Sequence, residues 1–541
     1  MKILLAYLCH YADRHDYYMS LLPVGLTTLA AHLQKKGHEV ILANFSRLGY
    51  RKSSREIAQI KPEVLGLSLY THNRLDTLKL VRAVKIHLPR CRIILGGPHA
   101  THLADEILKR YPEVDYIIAG EGETALENLL KALAGGKKSP ERIIESPRPA
   151  SVNTLPRPGE FSGKTLGVDP NEQFKYIITT RGCPQKCSFC CSPAFWKRRV
   201  RYRSPENILR EIRLLYHKYG IIYFSIRDDN FTLDKKRVME FSRLLQESGM
   251  YLMWNCQSRV DSVDREMIVQ MKQAGLEHIQ FGVETGSPRI LERYDKNITL
   301  ADIEKASLAA REAGVYLSVY LMTGMRGETA GDTKKTIQLI RRILPGDGIV
   351  SPVALYPGTA LYEEEKAAGR ISDAYWFQNS DSGVFLRQEE IVNLWMRDIL
   401  NELSLIREKS WYRNGDFRLH RKHSGSDCWV TDILEGDYYL DEERYTQAEA
   451  CYERVMTKYP KNPWGFLRMG KLKFEIGEFD GAVGSYHAVT RLVPAYYGGW
   501  LKLAESQIAL GSRKSARRCI DEAYKRNSFD FRIQNLMILL K

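Results

Sequence analysis

Three cysteines stand close together in the run Thr180-Arg181-Gly182-Cys183-Pro184-Gln185-Lys186-Cys187-Ser188-Phe189-Cys190, a C-x3-C-x2-C spacing. Thiolates this near one another can converge on one metal centre, yet a four-iron cluster normally takes four cysteines. Three leave one iron without a protein ligand, like the open position of a catalytic zinc where substrate binds. That is a site for redox chemistry rather than scaffolding. The plainer alternative is a zinc knuckle closed by Cys191. Against it, the side chains of Cys190 and Cys191 diverge in extended chain, and no second C-x2-C pair or H-x3-H follows at finger spacing. Cys9, Cys91, Cys256, Cys428, Cys451 and Cys519 are scattered singly and read mostly as small buried hydrophobes.

The elements that must hold this loop are legible around it. From Phe174 to about Asp347 the chain repeats strand then helix, with strands expected at 176–179, 222–226, 251–255, 278–283, 316–321 and 349–355. Six such units predict a partial (β/α)6 barrel with its chemistry at the strand carboxyl ends. Those ends carry Asp228-Asp229-Asn230-Phe231, Gly282-Val283-Glu284-Thr285-Gly286-Ser287, Gly324-Met325-Arg326-Gly327-Glu328-Thr329 and Tyr356-Pro357-Gly358-Thr359.

Upstream, strands are expected at 3–7, 40–42, 64–67, 93–95 and 116–119. Leu26, Leu29, Ala30 and Leu33 mark a helix that ends at Gly37. Strands alternating with helices predict an α/β, doubly wound parallel sheet whose ligand sits outside the strand carboxyl ends. There the chain places 8–23, Ser68-Leu69-Tyr70-Thr71, Gly96-Gly97-Pro98-His99 and Gly120-Glu121-Gly122-Glu123. Small residues at several adjacent ends let a large ligand approach the backbone. A Pro/Gly-rich stretch, 146–171, reads as linker.

The last hundred residues follow another rule. Ala448, Ala482 and Ala516 recur every 34 residues, as do Tyr452 and Tyr486, Val455 and Val489, Pro460 and Pro494, and Gly465 and Gly499. Gly436, Gly470 and Ala504 keep the same register, and Trp500 and Leu503 fall where an aromatic and a leucine are wanted. This is the tetratricopeptide pattern, two helices per repeat. About three repeats from near Trp429, with 529–540 as capping helix, predict an all-α solenoid. It would bind a protein partner on its concave face or serve as a lid over the active site.

The cysteine spacing, with Phe189 just before the third cysteine, resembles the signature of the radical S-adenosylmethionine (SAM) enzymes. The glycine-rich strand ends ahead of it resemble the cobalamin-binding domain of the cobalamin-dependent branch of that family, of which Pro23-Val24-Gly25-Leu26 is also a landmark. The resemblance implies a 4Fe-4S cluster on Cys183, Cys187 and Cys190, with SAM chelating the fourth iron and cleaved there to a 5′-deoxyadenosyl radical. It implies that Phe189 contacts the adenine and that Gly282, Gly324, Glu284 and Arg259 surround SAM. Glu284 and Arg259 are candidates for its amino and carboxylate groups, or else for structural ion pairs. Ser68, Gly96 and Gly97, with Gly120 and Glu121, would line the slot for the cobalamin tail. Asp13-Arg14-His15-Asp16 lacks the glycine of the loop that offers cobalt a histidine in other cobalamin proteins, so His15 is expected to be a solvated loop residue.

The resemblance further implies methyl transfer to an unactivated carbon by way of methylcobalamin. Alternatives are ring formation or rearrangement with the same cofactors and no methyl transfer, and a tetratricopeptide adaptor with a sensory cofactor core. A methylthiotransferase would need an extra N-terminal cysteine triad and an RNA-binding β-barrel, and neither is present in the sequence. The expected divisions are 1–145 cobalamin-binding-like, 146–172 linker, 173–400 radical SAM core with its extension, 401–428 connector and 429–541 repeats. The substrate class stays open among small molecule, lipid and peptide. An electron donor such as flavodoxin or ferredoxin is implied as partner.

Apolar residues make up 44% of the 541 residues, ordinary for a globular chain. No apolar run is long enough to span a membrane. The N-terminus has no signal-peptide core. Unpaired cysteines and an oxygen-sensitive cluster fit a reducing cytoplasm. The formal charge is +15. It could serve nucleic acid or an anionic surface. The basic residues are spread along the chain, however, apart from the run Lys197-Arg198-Arg199-Val200-Arg201-Tyr202-Arg203. That run reads as a solvated face, and nucleic acid is not the expected partner.

Overall fold

Near-continuous apolar strands need cover on both faces, the condition parallel sheets meet. The computed structural model describes residues 1–9, 17–136, 139, 141–145, 148–149, 151–378, 383–410, 412–413 and 415–540. Its first sheet holds β1 (Lys2–Tyr7), β2 (Glu39–Asn44), β3 (Val64–Ser68), β4 (Arg92–Gly96), β5 (Tyr116–Ala119), β6 (Ile143–Glu145) and β7 (Lys164–Leu166). All pair in parallel, in the order β6-β5-β4-β3-β1-β2-β7. The chain leaves β1 for β2 on one side and returns to β3 on the other, so the crevice where such sheets bind ligands opens between β1 and β3.

The five strands expected from sequence are all present. Two were not anticipated. β7 rises from the stretch read as linker and pairs with β2, so that stretch is part of the sheet. Three residues are too few to show a period. The loop carrying His15 lies outside the described residues.

The second sheet begins with β8 (Tyr176–Ile177). A short antiparallel pair follows, β9 (Thr180–Arg181) with β10 (Arg201–Tyr202). Then come β11 (Tyr223–Ile226), β12 (Met253–Ser258), β13 (Leu276–Glu284), β14 (Tyr316–Thr323) and β15 (Asp347–Pro352). The order β8-β11-β12-β13-β14-β15 makes a six-stranded parallel sheet, open between β8 and β15. Its outer face buries Phe224, Trp254, Cys256, Ile279, Phe281, Val319 and Leu321 under helices. Its inner face carries Asn255, Gln257, His278, Gln280, Tyr316 and Tyr320, all half-buried. This is the two-residue alternation of a strand with one dry and one wet side. The helix Glu390–Ser410 packs on β14 and β15. It runs unbroken through residue 400, so the division expected there falls inside a helix.

Beyond it, six helices from Trp429 to Arg526 form a solenoid of helical hairpins, followed by Phe531–Leu539. The 34-residue periodicity marks its packing points. Ala448, Ala482 and Ala516 have no exposed surface, and the rings of Tyr452 and Tyr486 lie against Gly436 and Gly470. One continuous apolar core joins solenoid and barrel. Trp464 Nε1 donates to the Tyr251 carbonyl at 3.1 Å, and Asn527 Nδ2 donates to Asp169 Oδ2 at 3.3 Å. Tyr251 and Asp169 precede β12 and β8, at the amino ends of the barrel strands. The solenoid therefore closes the end opposite the cysteine loop, and the alternative of a lid over the active site does not hold.

Candidate cofactor site

The cysteine loop is pinned by a buried carboxylate at the end of β11. Asp228 accepts from the amides of Thr179 (2.6 Å) and Thr180 (3.0 Å) and from the Thr179 hydroxyl. Cys183, Cys187 and Cys190 then line one cavity of about 320 Å³ at the carboxyl ends of the barrel strands. Cys191 lines the neighbouring cavity but not this one. Among the described residues no three His, Cys, Asp or Glu side chains close on a single ion. Three thiols spread around one hollow, with no fourth, suit a multi-iron group with an open corner. Burial pushes the thiols up, Cys190 to about 12. At Cys187 burial again dominates, opposed by Lys296 and Arg259.

The far wall of this cavity comes from β13. Its pairing with β14 shifts register between Gly282 and Glu284. Glu284 takes φ +67, a left-handed conformation that a non-glycine residue holds only under tight constraint. The constraint is Lys296, whose Nζ lies 2.5 Å from Glu284 Oε1 with both side chains buried. A Cβ on Gly282 would stand 2.7 Å from Glu284 Oε1 and 2.8 Å from Lys296 Nζ, so any larger residue would force the pair to shift. The Phe189 ring packs edge-on against Tyr294 at 5.1 Å, with the Lys296 ammonium 6.0 Å from its centroid. Arg259 is fully engaged. It donates to Asp261 (2.9 and 2.8 Å) and to the Lys296 carbonyl (2.8 Å), and Nη1 lies 3.7 Å from Cys187 Sγ. Gln257, Gln280 and Tyr320 form a hydrogen-bonded floor. Gly324 lines neither cavity; it lies in the turn after β14, where its amide donates to Glu328 Oε2 at 2.6 Å.

The second cavity, about 470 Å³, opens at the crevice of the first sheet. It is lined by Ser68, Gly96, Gly97, Gly120 and Glu121 from that sheet, and by Thr180, Arg181, Cys191 and Trp196 from the barrel side. Gly97 has φ +98, and a Cβ there would come 2.8 Å from the Leu69 carbonyl oxygen, so the β4 turn requires glycine. Gly120 leaves open space where a side chain would begin, the kind of cradle a bulky ligand needs. The Glu121 carboxylate is not free for a ligand. Arg181 Nη1 donates to it at 2.6 Å, Arg201 Nη1 at 3.1 Å, and Arg181 Nη2 reaches Glu123 Oε1 at 2.6 Å. Burial opposes ionisation of Glu123, but Arg181 holds its carboxyl below the usual range.

The two cavities share a wall of Cys190, Ser192 and Asp229. Asp229 Oδ2 accepts from Ser192 Oγ at 2.6 Å, and burial raises the acid above its ordinary value, reinforced by Asp228. Sequence reasoning placed Asp229 at the carboxyl end of a barrel strand without giving it a role, and singled out none of Lys296, Gln257, Gln280 and Tyr320. The glutamines and tyrosine were visible as polar residues at every second strand position. Lys296 gave no signal, since its partner is set by the bulge.

Two family models match the chain, "B12 binding domain" over residues 15–130 and "Radical SAM superfamily" over 177–340. The chain is 28% identical over 372 residues to an uncharacterized methyltransferase of Pyrococcus horikoshii, covering 65% of this chain and 80% of that one. It is 24% identical over 366 residues to the anaerobic magnesium-protoporphyrin IX monomethyl ester cyclase of Rubrivivax gelatinosus, 63% of this chain and 66% of that one. Its fold is similar to that of the radical SAM methyltransferase TsrM from Kitasatospora setae, with a TM-score of 0.60 at 17% identity over 80% of this chain and 95% of that one. The cavity at the first sheet and the cavity at the three cysteines thus belong, in chain order, to a B12-binding domain and a radical SAM domain.

Proposed function

We propose that this chain is a cobalamin-dependent radical SAM enzyme that methylates an unactivated carbon. The observation that carries the reading is the shared wall of Cys190, Ser192 and Asp229, which sets the cysteine cavity directly against the cavity of the B12-binding domain. When bound, the cluster with SAM supplies hydrogen abstraction and cobalamin supplies the methyl group. The protein's task is to hold them and their substrate in register and keep water out.

In this reading Cys183, Cys187 and Cys190 hold the cluster and Phe189 backs the adenine. Arg259, committed to Asp261 and beside Cys187, steadies the cluster edge rather than a free carboxylate. The Glu284–Lys296 pair over Gly282 forms the polar wall for the methionine end of SAM. Ser68, Gly96, Gly97 and Gly120 receive the cobalamin tail along their backbone, whereas Glu121 turns its carboxylate to the barrel. We infer further that the solenoid is a tetratricopeptide array.

The named relatives include a methyltransferase and a cyclase, so the test must separate methyl transfer from ring formation. Anaerobically reconstituted protein is given SAM, reductant and hydroxocobalamin beside a Cys187→Ala control. The reading expects bound cobalamin, with 5′-deoxyadenosine and S-adenosylhomocysteine formed by the wild type alone. Deoxyadenosine without S-adenosylhomocysteine would move the chain to the cyclase class. Cluster without cobalamin would sink both.

A further inference from the structure

The inward side chains below the cysteine cavity form two layers, two strand positions apart. In the lower layer Asn255 accepts from Ser225 Oγ at 2.6 Å and donates to Tyr223 Oη at 2.9 Å. Beside it Ser318 Oγ lies 2.6 Å from His278 Nε2 and donates to Asp347. Both ends of the Asn255 amide are thus spent inside the barrel. The upper layer, Gln257, Gln280 and Tyr320, lines the cavity with the three cysteines. Gln257 Nε2 donates to Tyr320 Oη at 2.9 Å and to Gln280 Oε1 at 3.3 Å, and the Tyr320 hydroxyl donates to Gln280 Oε1 at 3.0 Å. Both hydrogens of one amide and both lone pairs of the other are used. The Gln257 carbonyl oxygen and the Gln280 amino group have no partner among the described residues. Turning both side-chain amides over swaps which glutamine offers which group and still leaves one carbonyl and one amino group unused. Both glutamines are half-buried and neither atom is sealed in protein, so both are open to what enters the cavity. Gln280 lies two residues before Gly282 on β13, roughly 6.5 Å deeper than the Glu284–Lys296 wall.

We infer that this floor reads an amide of the substrate, which makes the substrate an amide-bearing molecule, such as a peptide or a lactam, rather than a lipid. The inference deepens the cofactor reading above and rests on it. The chemistry proposed there needs water kept out of the cavity. With water gone, an unmet carbonyl and an unmet amino group oppose burial unless the ligand supplies an N–H and a C=O. An amide offers both within one group. An alkyl chain offers neither, and a site built to hydrogen-bond rejects such a ligand by orders of magnitude. An amide seated on the floor carries its neighbouring carbons into the cavity of the three cysteines, where hydrogen abstraction is to occur.

The test uses the full-length holoenzyme with SAM, hydroxocobalamin and titanium(III) citrate, and three probes deuterated at every carbon-bound position. They are N-acetylglycinamide, its ester counterpart methyl acetoxyacetate, which has no N–H, and myristate. The readout is the fraction of 5′-deoxyadenosine that carries deuterium. In that step a C–D bond of the probe breaks, a C–D bond of deoxyadenosine forms, and the unpaired electron passes to the probe carbon. On wild type, N-acetylglycinamide is expected to label about tenfold more deoxyadenosine than either other probe. Gln257→Leu/Gln280→Leu should lose about tenfold of that labelled fraction, and Tyr320→Phe about threefold. The comparison of amide with ester is made on wild type, so it holds even where a variant folds poorly. Equal labelling from amide and ester, myristate ahead of both, or unlabelled deoxyadenosine with every probe would overturn the amide floor and spare the cofactor reading. A labelled fraction unchanged in the double variant would overturn it too, and a SAM affinity about tenfold lower by calorimetry would then reassign the floor to SAM. No deoxyadenosine at all from wild type would overturn both.

Discussion

Arg181 and Glu121 meet at 2.6 Å across the seam between the two sheets, two residues ahead of Cys183. Arg181 is the hub of that seam, since its second nitrogen holds Glu123. Both glutamate side chains are 3% exposed. Such a pair adds little over an apolar replacement of both partners, but removing one leaves buried charge.

Arg181→Met is therefore expected to cost about 3–5 kcal/mol, read as a lower urea midpoint. Arg181→Lys should recover only part, because one ammonium cannot serve two carboxylates with a planar fork. Glu123→Gln in the Arg181→Met background should recover much of the loss, since Glu121 keeps Arg201 as its partner. A midpoint for Arg181→Met within a few tenths of a molar of wild type would show that the seam is held elsewhere.

Gly282→Ala tests the crowded wall of the cysteine cavity. The new methyl meets Glu284 Oε1 and Lys296 Nζ within contact distance, and one end of that buried pair must move. Overpacking of this kind costs about 1–3 kcal/mol, so the protein should fold with a lowered melting temperature. The larger effect falls on the cofactor. Because Lys296 also faces Phe189, SAM affinity should drop by an order of magnitude or more while iron content stays near wild type. Unchanged SAM binding by calorimetry would remove the Glu284–Lys296 pair from the site.

Acid should loosen the other seam, where the first domain meets the segment after the barrel. His99 is buried edge-on against Trp376, its Nδ1 3.0 Å from Thr71 Oγ1 and its Nε2 without a partner. Burial, with Arg74, His102 and His72 around it, lowers its pKa to about 3. An unfolded histidine titrates near 6.5. Between those values the unfolded chain binds the proton and the folded chain does not, so stability is present above pH 6.5 and falls as pH drops toward 3. From pH 7.5 to 5 the loss from this residue is on the order of 2 kcal/mol. His420, also lowered to about 3 by burial and then Lys272 and Arg421, adds a similar amount. Depressed carboxylates such as Glu123 act below about pH 4.5, outside this window. His99→Phe keeps the aromatic contact and should remove this residue's share of the loss. Identical urea midpoints at pH 7.5 and 5 for the wild type would exclude the mechanism.

The sequence made the parallel strands legible because each is a compact apolar run between turn signals. The strand 116–119 was bounded to the residue for that reason. The half-wet face of the barrel was equally open to reading, since Gln257, Gln280 and Tyr320 sit at alternate positions. What stayed hidden were relationships set by the third dimension. Nothing local says that Lys296 returns to Glu284 or that Glu121 points across to Arg181. Nothing in the run 197–203 says which cations turn inward. β7 was lost inside a Pro/Gly-rich stretch because its partner, β2, lies more than a hundred residues away. The solenoid's period gave its helices but not its docking face, which depends on Trp464 finding the carbonyl of Tyr251.

That docking face makes the last prediction. Trp429, Trp464, Tyr452 and Leu472 of the solenoid belong to the same buried core as Trp254, Phe281 and Leu317 of the barrel. Where two elements share a core, neither should melt alone, whereas repeat arrays that touch only their neighbours can unravel piecemeal. Trp464→Ala removes a nearly buried ring and its hydrogen bond to Tyr251, at a cost of about 3–5 kcal/mol. Both units should feel it, so the calorimetric peak should move down as one transition. Its far-ultraviolet circular dichroism, dominated by helix, and the fluorescence of the barrel's Trp254 should report the same midpoint. A split into two transitions, with Trp254 unaffected, would show that the solenoid is an appended unit rather than the floor of the barrel.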